Sequence, residues 1–432
     1  RFDRPRVNRT LLCVANYRPN VGYAWDFIEG LYARVADRLV RDGVRTLVAY
    51  PADGEARALT GSAARAVCLD ASLTSVTSAR ATAAFVRHEN VGVVWFVDRA
   101  VRHWAYPCLR LAGARSIVVH DHSGGERTSS SGVRRVAKHA VAKVPGLTAD
   151  VVIGVSDFVA RRHREVGLVP ARRVVRIFNG LTPPSDGGGG THAILGIPEE
   201  RPIVWCAGRA TPGKGVAYLL RAFARLTRAW TDGPRPVLLY CGDGPQLPEL
   251  QALHRSLGAP ADIILAGYRP DAADLAADAR VCVVPSVFSE SFCLAVLEAM
   301  MRGRPVVATR VGAIPELVEH DVTGVLVAPG NEWELAEAMA ALLRNRPRAE
   351  LLGAEGGRVA RRRFTLDTEI QELVDVIRRA FGLKRQPPLP VQPREERVVT
   401  SGFEVGEKVG VVGFEEHPRP GSGEFAPSGR EG

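Results

Sequence analysis

The sequence predicts an α/β chain of two doubly wound, Rossmann-like domains. Three observations carry that expectation. Short β-branched runs alternate with helical stretches through the first half: TLLCVAN, VRTLVAYP, VGVVWFVDR, RSIVVHDH, DVVIGVS and VVRIFNG. The rhythm repeats in the second half with PIVWCAGR, PVLLYCGDG, DIILAGYR, RVCVVPS, PVVATR and GVLVAPG. Between the two sets lies NGLTPPSDGGGGTHAILGIPEERP, Asn179 to Pro202, whose adjacent prolines and run of glycines mark a hinge or linker. Strands that are apolar along their whole length belong to parallel sheets covered by helices on both faces. Two such sets make two domains.

The expected boundaries are 1–182 for the first domain and 183–365 for the second, with 179–202 as the linker. Further on, FTLDTEIQELVDVIRRAF puts Ile370, Leu373, Val374, Ile377 and Phe381 on one helical face. A helix over 366–382 is expected there, packing back toward the first domain. Residues 383–432, rich in Pro, Gly, Glu and Arg without a sustained period, read as a disordered tail.

A length of 432 residues allows two to three domains, each with its own core. Apolar runs such as VGVVWFV fall far short of the ~20 residues a membrane-spanning helix needs. The opening RFDRPRVNRT has no apolar stretch of the signal-peptide kind, and without a leading Met some native residues are expected before it. The seven cysteines are scattered, with no C-x-x-C pair. They read as buried free thiols in a reducing, cytoplasmic compartment, and they suggest no zinc site. The net charge is +10, and its whole excess lies in residues 1–182. A basic first half points to an anionic partner such as phosphate or a membrane surface. Nucleic acid is not expected, because no recognition motif accompanies the charge.

Ligands of open parallel sheets bind outside the carboxyl ends of the strands, so the residues after each strand hold the candidates. GRATPGKG follows PIVWCA, and its Arg209 and Lys214 would suit a diphosphate. A solvated loop is the plainer alternative for the same residues. The stretch matches a P-loop as far as G-x-x-x-x-G-K, but Gly215 replaces the metal-binding Ser or Thr. SESFCLAVLEAM follows RVCVVPS and holds Glu290 and Glu298 at and beyond an expected helix start. Eight residues of helix separate them by about 12 Å and turn the side chain by about 80°. The two carboxylates therefore cannot readily share one proton or metal, but they can hold two polyols of one extended ligand. With an anion between them near the helix start, the ligand has the shape of a nucleotide sugar. Glu290 has a simpler reading too, as a carboxylate complementing the helix dipole.

PSVFSESFCLAVLEAMMRGRPVVATRVGAIPELV resembles the donor motif of the family 4 retaining glycosyltransferases, which have the GT-B fold. GRATPGKG, YCGDGPQLPEL and DVVIGVSDFVARRHREVGLVPARRVVRIFNG resemble other segments of that family. The resemblance covers about residues 10–382 and is strongest over Ile203–Val318. It implies that Glu290 binds donor-sugar hydroxyls and that Glu298 holds the ribose. Arg209 and Lys214 would neutralise the departing diphosphate, and Tyr268 in GYR would meet the base. Ser291, Phe292, Cys293 and Leu294 would line the donor site, with Gly22 of ANYRPNVGYAW near the diphosphate. It implies a nucleoside-diphosphate sugar as co-substrate, no cofactor and no metal. Cys293 stands where the family usually has Gly, and Ala313 where a second Gly is common.

In IVVHDHSGGERTSS the resemblance points to a histidine facing the donor sugar. His120 is the choice, since it ends the strand more directly than His122, and a locally bonded loop histidine is the alternative. VRRVAKHAVAKV, residues 133–144, has an apolar face and a basic face. Such a helix either packs on its own domain or meets an anionic membrane. The expected function is transfer of a sugar to a glycan or lipid-linked acceptor in cell-surface polysaccharide or glycolipid synthesis. The alternatives are a nucleotide-sugar-binding protein of the same fold with little turnover, and a sugar-nucleotide epimerase.

Overall fold

The computed structural model describes residues 9–19, 23–127, 131–133, 136, 140–141, 144–184, 189–258 and 260–383. All of them fall in one compact unit, Arg1–Gln386. Gly22, part of the linker glycine run, all the basic residues of 133–144 and the tail from 384 lie outside the described residues.

Seven strands build the first sheet: β1 (Thr10–Val14), β2 (Arg45–Tyr50), β3 (Ala64–Cys68), β4 (Val91–Val97), β5 (Ser116–Asp121), β6 (Val151–Gly154) and β7 (Val174–Arg176). Their order is β3-β2-β1-β4-β5-β6-β7. The second sheet has β8 (Ile203–Ala207), β9 (Val237–Cys241), β10 (Ile263–Leu265), β11 (Ala279–Val284), β12 (Val306–Thr309) and β13 (Val325–Val327). Their order is β10-β9-β8-β11-β12-β13. Every neighbouring pair is parallel. All the runs read as strands form strands. β3 was not among them, because ARAVC lies at the sheet edge with mostly exposed side chains and shows no apolar run.

The continuous apolar strands are explained by cover on both faces. Side chains alternate along a strand. Leu11 and Cys13 accordingly enter one core of the first sheet, and Leu12 and Val14 the other. In the second sheet Ile203 and Trp205 face one core, Val204 and Cys206 the other.

The helix Leu366–Ala380 closes the chain by returning to the first domain. Ile370, Leu373, Val374 and Ile377 join Leu31, Tyr32 and Val35 of the helix Tyr23–Leu39 in one core. A buried ion pair between Arg378 Nε and Asp42 Oδ2, 2.7 Å, fixes its far end. The chain thus crosses between domains twice, and the crossings run side by side. The Leu181 amide donates to the Phe364 carbonyl at 3.0 Å, and the Leu366 amide to the Leu181 carbonyl at 3.1 Å. The buried Glu369 carboxylate accepts the Gly180 amide at 2.8 Å. Within 179–202 the structure also holds a short helix, Thr191–Leu195. It is tied to the second domain through Thr191 Oγ1, which donates to the Leu275 carbonyl at 3.1 Å.

In each sheet the strand order reverses at one place, between β1 and β4 and between β8 and β11. Crevices open at the carboxyl ends of strands at such points.

Candidate active site

The loops after β8 and β11 flank the second sheet's reversal point, and Gly215 brings them together. Its φ is +69°, and a Cβ there would stand 2.0 Å from the Pro285 carbonyl oxygen, so only glycine fits. The Gly213 carbonyl accepts the Val287 amide at 2.9 Å and the Phe288 amide at 3.1 Å. Lys214 Nζ then reaches Glu290 Oε1 at 2.7 Å, and the Ser286 hydroxyl donates to the same oxygen at 2.7 Å. Glu290 is only 7% exposed, so its charge acts in a poorly solvated place. Burial by itself would lower the Lys214 ammonium. The Glu290 carboxylate, with nearby thiols, outweighs that and holds it above its ordinary value.

The turn after β12 fixes Glu290 from the other side. Gly312 has φ +53°, and a Cβ there would lie 2.2 Å from the Glu290 carbonyl oxygen and 2.5 Å from its nitrogen. The Ala313 amide donates to that carbonyl at 2.9 Å. Gly312 is therefore the glycine this turn requires. Ala313 has right-handed backbone angles and is at ease as alanine.

Cys293 precedes the helix Leu294–Met301 with φ −107° and ψ 98°, extended angles that any residue adopts. Its side chain lies in the apolar core with Leu297 and Met300. Burial pushes the thiol up to about 12, so it stays protonated and is not a nucleophile at neutral pH. Phe292 is buried near Phe178 and Phe364, with ring centroids 6.1 and 6.0 Å away. It anchors the loop at the junction of the two domains. Leu294 opens the helix, and Glu298, buried like Glu290, follows one turn later. Arg209 is exposed after β8, and its side chain hydrogen-bonds no described residue. Tyr268, 64% exposed, stands after β10.

Across the crevice, the loop after β5 touches the loop of Glu290. The Gly125 amide donates to the Ser289 carbonyl at 2.7 Å, and the Ser291 hydroxyl donates to the His122 carbonyl. A Cβ at Gly124 would come within 2.5 Å of the Phe288 ring. A second contact joins the domains. The Glu316 carboxylate accepts the Asp157 and Phe158 amides, 2.7 and 2.6 Å away, at the start of the helix Asp157–Glu165.

The structure buries His120 completely. Its ring stacks on Trp95, centroids 5.9 Å apart, and neither ring nitrogen has a partner among the described residues. The His122 ring is 4.1 Å from it. Residues that the motifs did not single out hold this loop. His163 Nε2 and Arg162 meet Asp121 Oδ2 at 2.6 and 3.0 Å, and Arg162 also donates to the carbonyls of Ser123, Gly124 and Gly125. Asp98, at the first sheet's reversal point, has φ +51° and accepts the His122 amide at 2.6 Å. The signal for Asp98 was its place directly after an apolar strand; Ser286 had the same signal.

Asp98 is open to solvent on one side, but crowding around its carboxyl partly desolvates it and the Asp121 charge stands beside it, which raises it to about 7; burial lowers His122 to about 4. A raised carboxyl means that the folded state holds a proton the unfolded chain has lost between about pH 4 and 7. This contribution therefore weakens the fold as pH rises through that window. His122 has the opposite sign between about pH 4 and 6.5. Asp98→Asn should gain stability relative to the wild type as pH rises from 4 to 7. Urea unfolding at a series of pH values would measure the difference, and parallel curves would contradict it.

The geometry defines a two-domain protein with a crevice at the sheet ends, and comparison with known proteins specifies the class. The description "Glycosyl transferases group 1" matches residues 201–345. The chain is 30% identical over 285 residues to the GDP-mannose-dependent alpha-(1-6)-phosphatidylinositol monomannoside mannosyltransferase of Mycolicibacterium smegmatis, covering 63% of this chain and 72% of that one. It is 27% identical to the alpha-D-kanosaminyltransferase of Streptomyces kanamyceticus, covering 62% and 69% respectively. Among solved structures, a glycosyltransferase from Rickettsia africae superposes with a TM-score of 0.72 at 18% identity, covering 86% of this chain and 98% of that one. Anabaena HepE, in complex with UDP and glucose, gives 0.67 at 20%, covering 85% and 99%. The fold is GT-B. The chain belongs to the group 1 glycosyltransferases.

Proposed function

We propose that the protein moves a sugar from a nucleoside-diphosphate sugar to a glycan or lipid-linked acceptor, with retention of configuration and without a metal or cofactor. The observation that carries this reading is the cluster of Lys214, Ser286 and Glu290 at the second sheet's reversal point, in contact with the first domain's His122–Gly125 loop. The molecules named with the relatives support it: UDP and glucose in complex with HepE, and GDP-mannose and phosphatidylinositol monomannoside for the mycobacterial mannosyltransferase.

In this reading the bond from the sugar carbon to the phosphate oxygen breaks, and its electron pair leaves on the diphosphate. An acceptor hydroxyl oxygen bonds the same face of the carbon, and its proton passes to the departing phosphate. Lys214 and Arg209 offset the growing negative charge, worth most where water is excluded. Glu290 orients the sugar through its hydroxyls, and Glu298 holds the ribose. The backbone of Ser291, Phe292, Cys293 and Leu294 forms the wall near the diphosphate, and Tyr268 meets the base. His120, fully buried, acts as a positioning residue beside His122, which belongs to the loop touching the donor side. The buried Cys293 thiol and its unstrained backbone speak for turnover over the binding-only reading.

Thermal unfolding with a panel of nucleotide sugars tests the reading. Donor at about 100 times its dissociation constant adds about 2.7 kcal/mol. One donor should stabilise the wild type, fail with Glu298→Ala and be consumed when acceptor is added. Binding without consumption would favour the binding protein, and consumption without acceptor, giving a new nucleotide sugar, the epimerase.

Association with a membrane surface rests on 133–144, together with the expected place in the cytoplasm. No described helix is long and apolar enough to cross a membrane. In that segment Val133, Val136, Val141 and Val144 are all exposed, which supports the membrane alternative over packing on the parent domain. Each basic residue near an anionic surface adds about 1 kcal/mol. The protein should co-sediment with phosphatidylserine vesicles and not with phosphatidylcholine vesicles. Equal sedimentation with both would end this part of the proposal.

A further inference from the structure

The opposite end of the second sheet carries a second polar cavity, of about 300 Å³. It opens between the linker and the amino-terminal ends of β11 and β12, with Gly190, Asp278, Arg280, Arg304, Arg346 and Glu350 in its wall. Parallel pairing sets Cys282 beside Val306. Arg280, at a break in the register of β11, and Arg304, just before β12, share this wall, and their positive charges oppose each other. Neither guanidinium hydrogen-bonds a described side chain, and Arg304 Nε is buried without a partner. Of the acidic wall residues, Glu350 is shared among the arginines, its charge reaching Arg280 and Arg304 as well as Arg346. Glu350 accepts from Arg346 Nε at 2.6 Å, and Asp278 accepts the Thr191 amide at 2.7 Å. His192 and Glu199, 3.8 Å apart, complete the charged lining.

Three guanidinium groups that share the single carboxylate of Glu350 leave an excess of positive charge, with room for an anion. Paired arginines match phosphate geometry through parallel N–H···O bonds. We propose that Arg280, Arg304 and Arg346 form a binding site for the phosphate group of a small phosphorylated molecule. The cavity lies at the low end of ordinary ligand pockets, ~300–1,000 Å³, enough for a phosphate and a few carbons. The site is separate from the donor crevice, because β11 runs its whole length between Arg280 and the Glu290 loop. That is roughly 15–20 Å at about 3.3 Å per residue. A ligand here touches the linker at Gly190 and leaves the Glu290 loop free. The inference does not depend on the sugar-transfer reading.

The test is thermal unfolding of the full chain in chloride and in inorganic phosphate at matched ionic strength. Phosphate should raise the wild-type Tm saturably, by about 2–3 °C at high occupancy. Lys214→Ala, which alters only the donor crevice, should keep the shift. The double variant Arg280→Gln, Arg304→Gln should lose it while remaining folded in chloride. The Arg280→Lys, Arg304→Lys variant keeps the charge and should shift less than the wild type. No shift in the wild type would overturn the proposal. So would an undiminished shift in the Gln variant, loss of the shift in Lys214→Ala, or a Gln variant that unfolds because the arginines are structural.

Discussion

Glu290→Ala should lower turnover by about 100-fold or more, the scale seen when one preorganised transition-state contact is removed. The carboxylate is buried and receives both Lys214 Nζ and the Ser286 hydroxyl on one oxygen. Its removal leaves a half-buried ammonium without its counter-charge and a buried hydroxyl without its acceptor. A stability loss of about 1–3 kcal/mol should accompany the loss of rate. Glu290→Gln separates the two effects. The amide oxygen still accepts from Ser286 and Lys214, so Tm should fall less, while the charge that orients the sugar is lost and kcat should stay low. Steady-state kinetics on the consumed donor, with unfolding curves for both variants, would measure this. Near-normal kcat in either variant would remove Glu290 from its proposed role.

Gly312→Ala should damage stability and rate together. An alanine at φ +53° costs about 1–2 kcal/mol in backbone strain. Its Cβ would also meet the Glu290 carbonyl oxygen at 2.2 Å, a contact that only movement of the Glu290 backbone relieves. A displacement of about 1 Å at a reacting centre costs on the order of 100-fold in rate. Ala313→Gly is the comparison. Its backbone angles are ordinary and its amide would still donate to Glu290, so only a buried methyl is lost, roughly 1 kcal/mol. Equal effects at the two positions would show that close approach to Glu290 is not what the turn demands.

The two parallel sheets were legible because their strands are buried on both faces, and continuous β-branched runs are what such burial requires. β3 escaped notice for the same reason. At the sheet edge, with Arg65 and Ala66 exposed, it needs no apolar run and is ordered by pairing with β2. The second domain's candidates were legible through spacing, since Lys214 and Glu290 lie in the loops after strand ends and Glu298 in the helix that follows. The supporting residues were not. Ser286 looked like an ordinary loop serine, and Asp98 like the end of a strand. His120 and His122, two residues apart, looked nearly equivalent. Yet the strand carries the His120 ring into the core against Trp95, while the His122 carbonyl meets the Ser291 hydroxyl of the other domain.

The sequence by itself determined the class of fold, the number of sheets, the helix that closes on the first domain, and which strand ends carry charge. These follow from local periodicity and from residue types next to one another in the chain. Only the tertiary structure decided that Lys214 and Glu290, 76 positions apart, share a 2.7 Å contact. It also decided that Gly312 rather than Ala313 is the obligatory glycine, that the Cys293 thiol belongs to the core, and that Arg280 and Arg304 line one cavity. Each depends on the register between strands and on which backbone passes within about 3 Å of which. Packing of the whole sheet sets those distances, and no stretch of sequence encodes them alone.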